Sequence, residues 1–194
     1  MSKDRVTSGG RWETYKYYEV YGLQFTASEC EQIIGLHNGH MMFSGRMSGG
    51  PGRIVRDSDL FWIPRSGKTD WIFSRLEAVL AVYNSKYGFE LATDLGQAQL
   101  TCYRAGQHYD WHMDLGSGQS SLRKVTLVAE LTGGIHIKGG GIEIFHGERE
   151  NNRVNLGIGD VVIFPSFVMH RAAVVHAGIR WSLVLWATGT RPLN

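Results

Sequence analysis

Residues 103–114 read YRAGQHYDWHMD and place two tyrosines, two histidines, two aspartates and a tryptophan within twelve positions. A surface loop rarely carries so many aromatic residues, and a core strand rarely carries so many ionisable ones. Residues i and i+2 of an extended strand project to the same face, so His112 and Asp114 are predicted to point the same way. An imidazole nitrogen beside a carboxylate oxygen offers two ligands to a divalent metal, although a lone HxD pair is a weak motif.

A third ligand is available in residues 159–186, which read GDVVIFPSFVMHRAAVVHAGIRWSLVLW. In this segment His170 follows a predicted strand and a turn. Two histidines and one carboxylate form the facial triad of non-haem Fe(II) oxygenases, which leaves coordination positions open. His108 and His176 remain alternatives, because each lies close in sequence to one of the candidate ligands.

Arg180 lies within a hydrophobic segment, Ile179–Ala187, that is predicted to be a strand. The residues that share its face by alternation are Ser182, Val184 and Trp186. An arginine at such a position needs an anionic partner. A ligand carboxylate held by a bidentate guanidinium contact would satisfy it. An internal glutamate, Glu130 or Glu143, would do so as well.

The chain is predicted to begin with helices and to continue with strands. Helices are predicted mainly over residues 26–38, which start with a capping sequence, and 70–87, whose apolar residues recur every three or four positions. Short β-type segments separated by glycine-rich turns follow. This order predicts a mainly β fold with N-terminal helices (α+β), a β-sandwich or jelly roll with its core at about residues 89–188. A single domain is predicted over residues 17–190, after a flexible tail over residues 1–16.

Composition narrows the possible functions. The 194 residues are 43% hydrophobic and 20% charged, which is typical of a soluble globular protein, and the net charge of +2 does not indicate nucleic-acid binding. No apolar segment approaches the length of a membrane span, and the polar N-terminus does not resemble a signal peptide. Cys30 and Cys102 are predicted to be buried reduced thiols. These features predict a cytoplasmic protein that does not enter a membrane.

Taken in order, the motifs Y-x8-H-x-D, GDVVIFPS and H-x9-R-x-S resemble the Fe(II)/2-oxoglutarate-dependent dioxygenases. Within them they resemble the prolyl-4-hydroxylase-like branch, with its small prokaryotic and phage members. The resemblance covers roughly Glu19 to Trp186 and implies a double-stranded β-helix, the cupin-like jelly roll. It implies Fe(II), 2-oxoglutarate and dioxygen as cofactor and co-substrates, with ascorbate as an optional addition, and succinate and CO2 as products.

The resemblance also implies roles for individual residues. The iron ligands that it implies are His112, Asp114 and His170. Arg180 matches the basic residue that pairs with the distal carboxylate of 2-oxoglutarate, Tyr103 matches a tyrosine facing the co-substrate, and Ser182 matches the serine of the R-x-S pattern. Some relatives add a tyrosine anchor on the strand predicted over Lys124–Leu131. That face carries a threonine, a valine and a glutamate here, so the second anchor stays open.

The resemblance favours hydroxylation of an amino-acid-type or peptidyl C–H bond, for example in a prolyl residue. Arg56, Tyr109 and Trp186 are the predicted substrate contacts. Arg56 is expected at the end of a glycine-rich segment, Gly39–Arg56, that has the composition of a lid. Three alternatives remain: the same chemistry on another small molecule, the same chemistry on alkylated nucleic acid, and a non-catalytic metal-binding jelly roll. The oligomeric state is open.

Overall fold

The computed structural model describes residues 18–93, 95–133, 137–147 and 152–192. The tail predicted over residues 1–16 lies outside these ranges. Neither helix within them is both long and apolar enough to cross a membrane. Both cysteines are buried free thiols, as predicted.

Two helices, α1 (Ala27–Gly35) and α2 (Asp70–Tyr87), precede most of the sheet. A capping box starts α1: Glu29 N–H donates to the Thr26 hydroxyl at 3.2 Å, and Thr26 N–H donates to the Glu29 carboxylate at 2.8 Å. The helix ends three residues before the predicted residue 38, because the next backbone N–H groups bond to carbonyls three positions back. Gly88, with a φ of 68°, ends α2 as predicted.

The described residues also form fourteen short strands and a 3-10 helix at Gly118–Leu122. In chain order the strands are β1 (Glu19–Tyr21), β2 (Phe43–Ser44), β3 (Met47–Ser48), β4 (Ile54–Asp57), β5 (Asp59–Pro64), β6 (Gln97–Arg104), β7 (His108–His112), β8 (Arg123–Glu130), β9 (Lys138–Gly139), β10 (Ile142–Ile144), β11 (Val161–Pro165), β12 (His170–Ala172), β13 (Val175–Ala177) and β14 (Ile179–Thr188). The segment expected to be a glycine-rich lid before Arg56 therefore contains strand pairs, and Arg56 lies within β4.

Two large antiparallel sheets build the fold, and β9 and β13 form a separate two-stranded sheet. The seven-stranded sheet has the order β1-β11-β8-β14-β6-β5-β2, and the five-stranded sheet has the order β10-β12-β7-β4-β3. This arrangement is the mainly β jelly roll with N-terminal helices that the sequence predicts. The sheets extend beyond the predicted core at residues 89–188, because β1 to β5 pair with later strands in both of them.

The outer face of the seven-stranded sheet packs against α1 and α2 and forms the main apolar core. The buried sheet residues in this core include Leu100, Leu127, Ala129, Leu183 and Leu185. The helices contribute the apolar stripe that the spacing of three and four predicts, for example Ile72, Leu76 and Tyr83. Because strand residues alternate, the intervening side chains face the five-stranded sheet and line the cavity between the two sheets.

Candidate metal centre

Two strand ends of the five-stranded sheet bring the predicted ligands together. His112 is the last residue of β7, His170 is the first of β12, and the two are direct cross-strand partners. Their ring centres lie 4.2 Å apart. Asp114 follows two residues after His112, and one ligand atom from each of the three side chains lies within 4.8 Å of the others.

Backbone carbonyls set the orientation of both imidazole rings. Nδ1 of His112 lies 2.7 Å from the Asp110 carbonyl, and Nδ1 of His170 lies 2.9 Å from the Val168 carbonyl. A carbonyl can only accept, so each Nδ1 carries the proton and donates it. Each Nε2 therefore presents a lone pair to Asp114, whose oxygens lie 3.7 Å from His112 and 3.4 Å from His170. Such outer hydrogen bonds fix the tautomer that binds a metal.

The Asp114 carboxylate is held from the opposite sheet. The Thr126 hydroxyl of β8 donates to its Oδ2 at 2.8 Å and lies 2.9 Å from the Ser166 hydroxyl. The backbone N–H groups of Asp114 and Leu115 both donate to the Ser166 carbonyl at 3.0 Å. The turn after β11 therefore fixes the third ligand against the two histidines.

Burial and charge favour the ligand forms of these groups. Burial, followed by the proximity of His170, lowers the pKa of His112 to about 4. Burial disfavours ionisation of Asp114, yet the neighbouring His170 and His112 hold its pKa below the ordinary value. At neutral pH the cluster offers a neutral imidazole at His112 and an ionised carboxylate. Two imidazoles and one carboxylate fit Fe(II).

The other ionisable residues of this region lie outside the cluster. His108 and His176 do not belong to the metal-ligating group found among the described residues. Asp110 binds the Arg53 guanidinium at 2.7 Å. Trp111 packs edge-on against Phe145 and does not line the cavity, as strand alternation predicts. Only part of the chemically rich stretch therefore faces the candidate centre.

Arg180 lies deeper in the same cavity and is paired with Glu130. Its Nε–H donates to Glu130 Oε2 at 2.9 Å, and its Nη2 lies 2.8 Å from the same oxygen. Nη2 is buried and has no well-aligned hydrogen-bond acceptor among the described residues. The internal ion pair that sequence reasoning left as an alternative is thus present, but it leaves part of the guanidinium free to bind a further anion.

Tyr103 and Ser182 border Arg180. Tyr103 on β6 is the cross-strand partner of Arg180 on β14, and the guanidinium carbon lies 5.6 Å from the centre of the Tyr103 ring. Ser182 is buried, lines the cavity, and stands opposite Glu130 in the β8–β14 register. The three residues expected around the co-substrate therefore lie in one corner of the cavity.

Arg56 and Tyr109 form one wall beside the metal centre. The Tyr109 ring stacks on His112 with a centroid distance of 3.5 Å, and the Arg56 guanidinium lies 4.6 Å from the Tyr109 ring centre. Arg56 also donates to Ser58 Oγ at 3.0 Å and to Gln99 Oε1 at 2.9 Å. None of the carboxylates in the described residues forms an ion pair with Arg56, so its charge is available to a ligand.

Trp186 and Arg123 form the wall beside Asp114. The Arg123 guanidinium lies 3.9 Å from the Trp186 ring centre, and its Nη1 donates to the Asp114 carbonyl at 3.4 Å. Sequence reasoning missed Arg123. Arg123 is the first residue of β8, and simple alternation would place it on the other face of the strand from Thr126. The pairing register between β8 and β14 is irregular at this point. No sequence signal would have predicted that it lines the cavity.

The segment of the chain that carries most of this site matches a known protein family. Residues 98–188 match the family model described as the 2OG-Fe(II) oxygenase superfamily. This segment contains all three metal-ligand candidates and Arg180. A PKHD-type hydroxylase from Synechococcus sp. (strain CC9605) is 29% identical over 82 residues, which cover 42% of this chain. The match spans only 37% of that relative's own length.

Solved structures are similar over nearly the whole chain. A Pseudomonas putida prolyl-4-hydroxylase has a TM-score of 0.72 at 17% identity, covering 90% of this chain and 94% of that one. A Trichoplax adhaerens prolyl hydroxylase, in complex with a peptide fragment of the oxygen degradation domain of hypoxia inducible factor, also has a TM-score of 0.72. It is 16% identical and covers 89% of this chain and 83% of that one. At these identities the likeness establishes the fold.

Proposed function

We propose, from the match of residues 98–188 to the 2OG-Fe(II) oxygenase family model, that this protein is an Fe(II)- and 2-oxoglutarate-dependent hydroxylase. Its reaction would be hydroxylation of an amino-acid-type or peptidyl C–H bond, for example in a prolyl residue. The observation that carries this proposal is one cavity that contains the cluster of His112, Asp114 and His170 together with the buried guanidinium of Arg180. A metal-binding jelly roll without turnover would not need this second anchor.

Each residue has a defined task in the proposal. His112, Asp114 and His170 hold Fe(II). Bound Fe(II) and 2-oxoglutarate together supply dioxygen activation, with succinate and CO2 as products. Arg180 binds the distal carboxylate of 2-oxoglutarate through the part of its guanidinium that Glu130 leaves free. The residues that border this part of the cavity are Tyr103, Ser182 and Thr101, and they exclude water from the co-substrate.

The substrate is proposed to bind between the two aromatic walls. Tyr109 and Trp186 provide apolar surface on either side of the metal centre, and each carries an arginine over its ring. Arg56 and Arg123 would then bind carbonyl or carboxylate oxygens next to the reacting C–H bond. A peptide or amino acid offers such oxygens, and the Trichoplax relative was solved with a peptide fragment. A cytoplasmic location stays a prediction from the sequence.

Optical titration under anaerobic conditions tests the proposal. Fe(II) and 2-oxoglutarate added to the wild type should give a weak visible charge-transfer band. The band should be absent in His112→Ala, which loses a ligand, and strongly weakened in Arg180→Ala, which loses the carboxylate anchor. Arg65→Ala is the matched control, because Arg65 forms exposed ion pairs with Asp70 and Glu77 away from the cavity.

Turnover is tested separately by succinate release in air across amino acids, peptides and alkylated oligonucleotides. A signal confined to amino acids or peptides supports the proposed substrate class, and one confined to alkylated oligonucleotides contradicts it. A wild-type protein that gives neither the band nor succinate is not a hydroxylase of this kind.

A further inference from the structure

Glu130 and Arg180 form a buried ion pair beside the part of the cavity proposed for the co-substrate: Arg180 lines that cavity, and both residues line the adjoining one. Their side chains are 8% and 4% exposed. They belong to neighbouring strands, since Glu130 ends β8 and stands opposite Ser182 of β14. Glu130 lies on the face of β8 where, by the resemblance, some relatives carry a tyrosine as a second anchor for the co-substrate carboxylate. A negative group therefore lies where the proposed function brings another negative group.

The charge around Glu130 is balanced before any co-substrate enters. The titratable and charged groups close to it are Arg180, Arg153, Tyr103 and Cys30. Burial raises the pKa of Tyr103, and burial raises the pKa of the Cys30 thiol to about 11, so both are neutral at pH 7. Arg153 lines the adjoining cavity, but it is exposed and its charge is screened by solvent. Among the residues that the structure describes, only Arg180 offsets Glu130 within the buried volume.

A second carboxylate at Arg180 would leave one negative charge without compensation. Burying an unpaired charge is unfavourable, and two carboxyl groups in one site avoid this cost by sharing a proton. We propose that Glu130 positions Arg180 and that the distal carboxylate of 2-oxoglutarate enters this site together with one proton, which the two carboxyl groups share. This inference rests on the proposed function, because it concerns binding of the same co-substrate.

The geometry gives Glu130 the positioning role. Both Nε and Nη2 of Arg180 approach the same oxygen, Oε2, so one edge of the guanidinium is fixed. Arg180 also lines the cavity that contains the metal cluster, so the part of its guanidinium that Glu130 leaves free can bind an anion there. Glu130→Gln would keep an acceptor oxygen for the Arg180 Nε–H while removing the negative charge.

The proposal predicts that binding of 2-oxoglutarate is accompanied by the uptake of one proton. Burial raises the pKa of Glu130 despite the nearby Arg180. A second carboxylate raises the pKa of the pair further. A ligand that binds together with one proton binds more weakly as the pH rises, by at most about tenfold per pH unit. The affinity for 2-oxoglutarate should therefore fall as the pH rises from the pKa of Glu130 in the free protein to the pKa of the carboxyl pair in the complex.

The test is calorimetric titration of the Fe(II)-loaded protein with 2-oxoglutarate, without oxygen. Titrations in buffers of low and high ionisation enthalpy give the number of protons taken up. Because the metal is already bound, its histidine ligands contribute no proton. The wild type should take up about one proton, and Glu130→Gln should take up about none while still binding 2-oxoglutarate. Glu77→Gln, which removes a carboxylate from a helix-surface pair with Arg65, should behave as the wild type.

The outcomes separate this inference from the proposed function. A wild type that does not bind 2-oxoglutarate overturns the proposed function. A wild type that binds it without proton uptake overturns only the inference, as does uptake that persists in Glu130→Gln. If Glu130→Gln does not fold, the wild-type pH dependence decides: a dissociation constant that does not change with pH overturns the inference, and one that rises with pH supports it.

Discussion

The two faces of the seven-stranded sheet use alternate residues of the same strands for opposite purposes. On β8, Leu127 and Ala129 face the helices and are fully buried among apolar side chains. Their neighbours Thr126 and Glu130 project to the opposite face of the sheet, where each hydrogen-bonds to a residue of the candidate site. Adjacent positions thus differ in what they contribute, although all four of these residues are buried.

This difference separates the source of stability from the source of chemistry. The outer face gains free energy from apolar burial, roughly 25 cal/mol per Å² removed from water. The inner face buries ionisable groups, which costs free energy unless each is paired. Those pairs are present: Asp114 with Thr126, and Arg180 with Glu130. Changes on the outer face should therefore alter folding, and changes on the inner face should alter binding.

The largest expected effect is on the inner face, at the metal. Asp114→Ala removes a ligand and should weaken Fe(II) binding by more than about a hundredfold, the upper range for loss of an outer partner. Thermal unfolding of the metal-free protein should change little, because the substitution removes the buried carboxylate itself and leaves no unpaired charge in its place. Equilibrium metal titration measures the binding. Asp110→Ala is the control, since Asp110 lies four residues away and pairs with Arg53; equal losses in both variants would contradict the assignment.

A comparable perturbation on the outer face should affect folding instead. Leu127→Ala leaves a cavity in the core beneath the helices and should lower the free energy of unfolding by about 2–5 kcal/mol. Urea denaturation measures this loss, and metal titration of the folded variant should match the wild type. Val82→Ala on the exposed side of α2 should cost far less. A Leu127→Ala protein of normal stability would mean that the outer face is not the main core.

The smallest expected effect comes from Thr126, the neighbour of Leu127. Thr126→Val keeps the shape but removes the hydroxyl that bonds to Asp114 and contacts Ser166. Metal affinity should fall by about 10–100-fold, with a smaller loss of stability than in Leu127→Ala. Thr126→Ser, which keeps the hydroxyl, should restore the affinity. If Thr126→Val and Thr126→Ser have the same metal affinity, the hydrogen bond from the Thr126 hydroxyl does not orient Asp114.

The metal cluster was the most predictable part of the site. Alternation predicted that His112 and Asp114 point the same way. His170 kept His108 and His176 as rivals until the family resemblance implied its role, and the same resemblance implied the role of Arg180. The structure brings His112, Asp114, His170 and Arg180 into one cavity.

The sheet order was less predictable, because the pairing of β1 to β5 with later strands depends on contacts far apart in sequence. The end of α1 was predicted three residues too late, since fraying at a helix end follows local hydrogen bonding.

The sequence by itself determined the class of fold, the candidate ligands and the arginine that follows them, because periodicity and motif spacing are local properties of the chain. Tertiary structure alone decided three further features. It selected Glu130 over Glu143 as the partner of Arg180, placed the Thr126 hydroxyl on Asp114, and turned Arg123 into the cavity. Each depends on which strands become neighbours and in what register, and that is set by the packing of both sheets together.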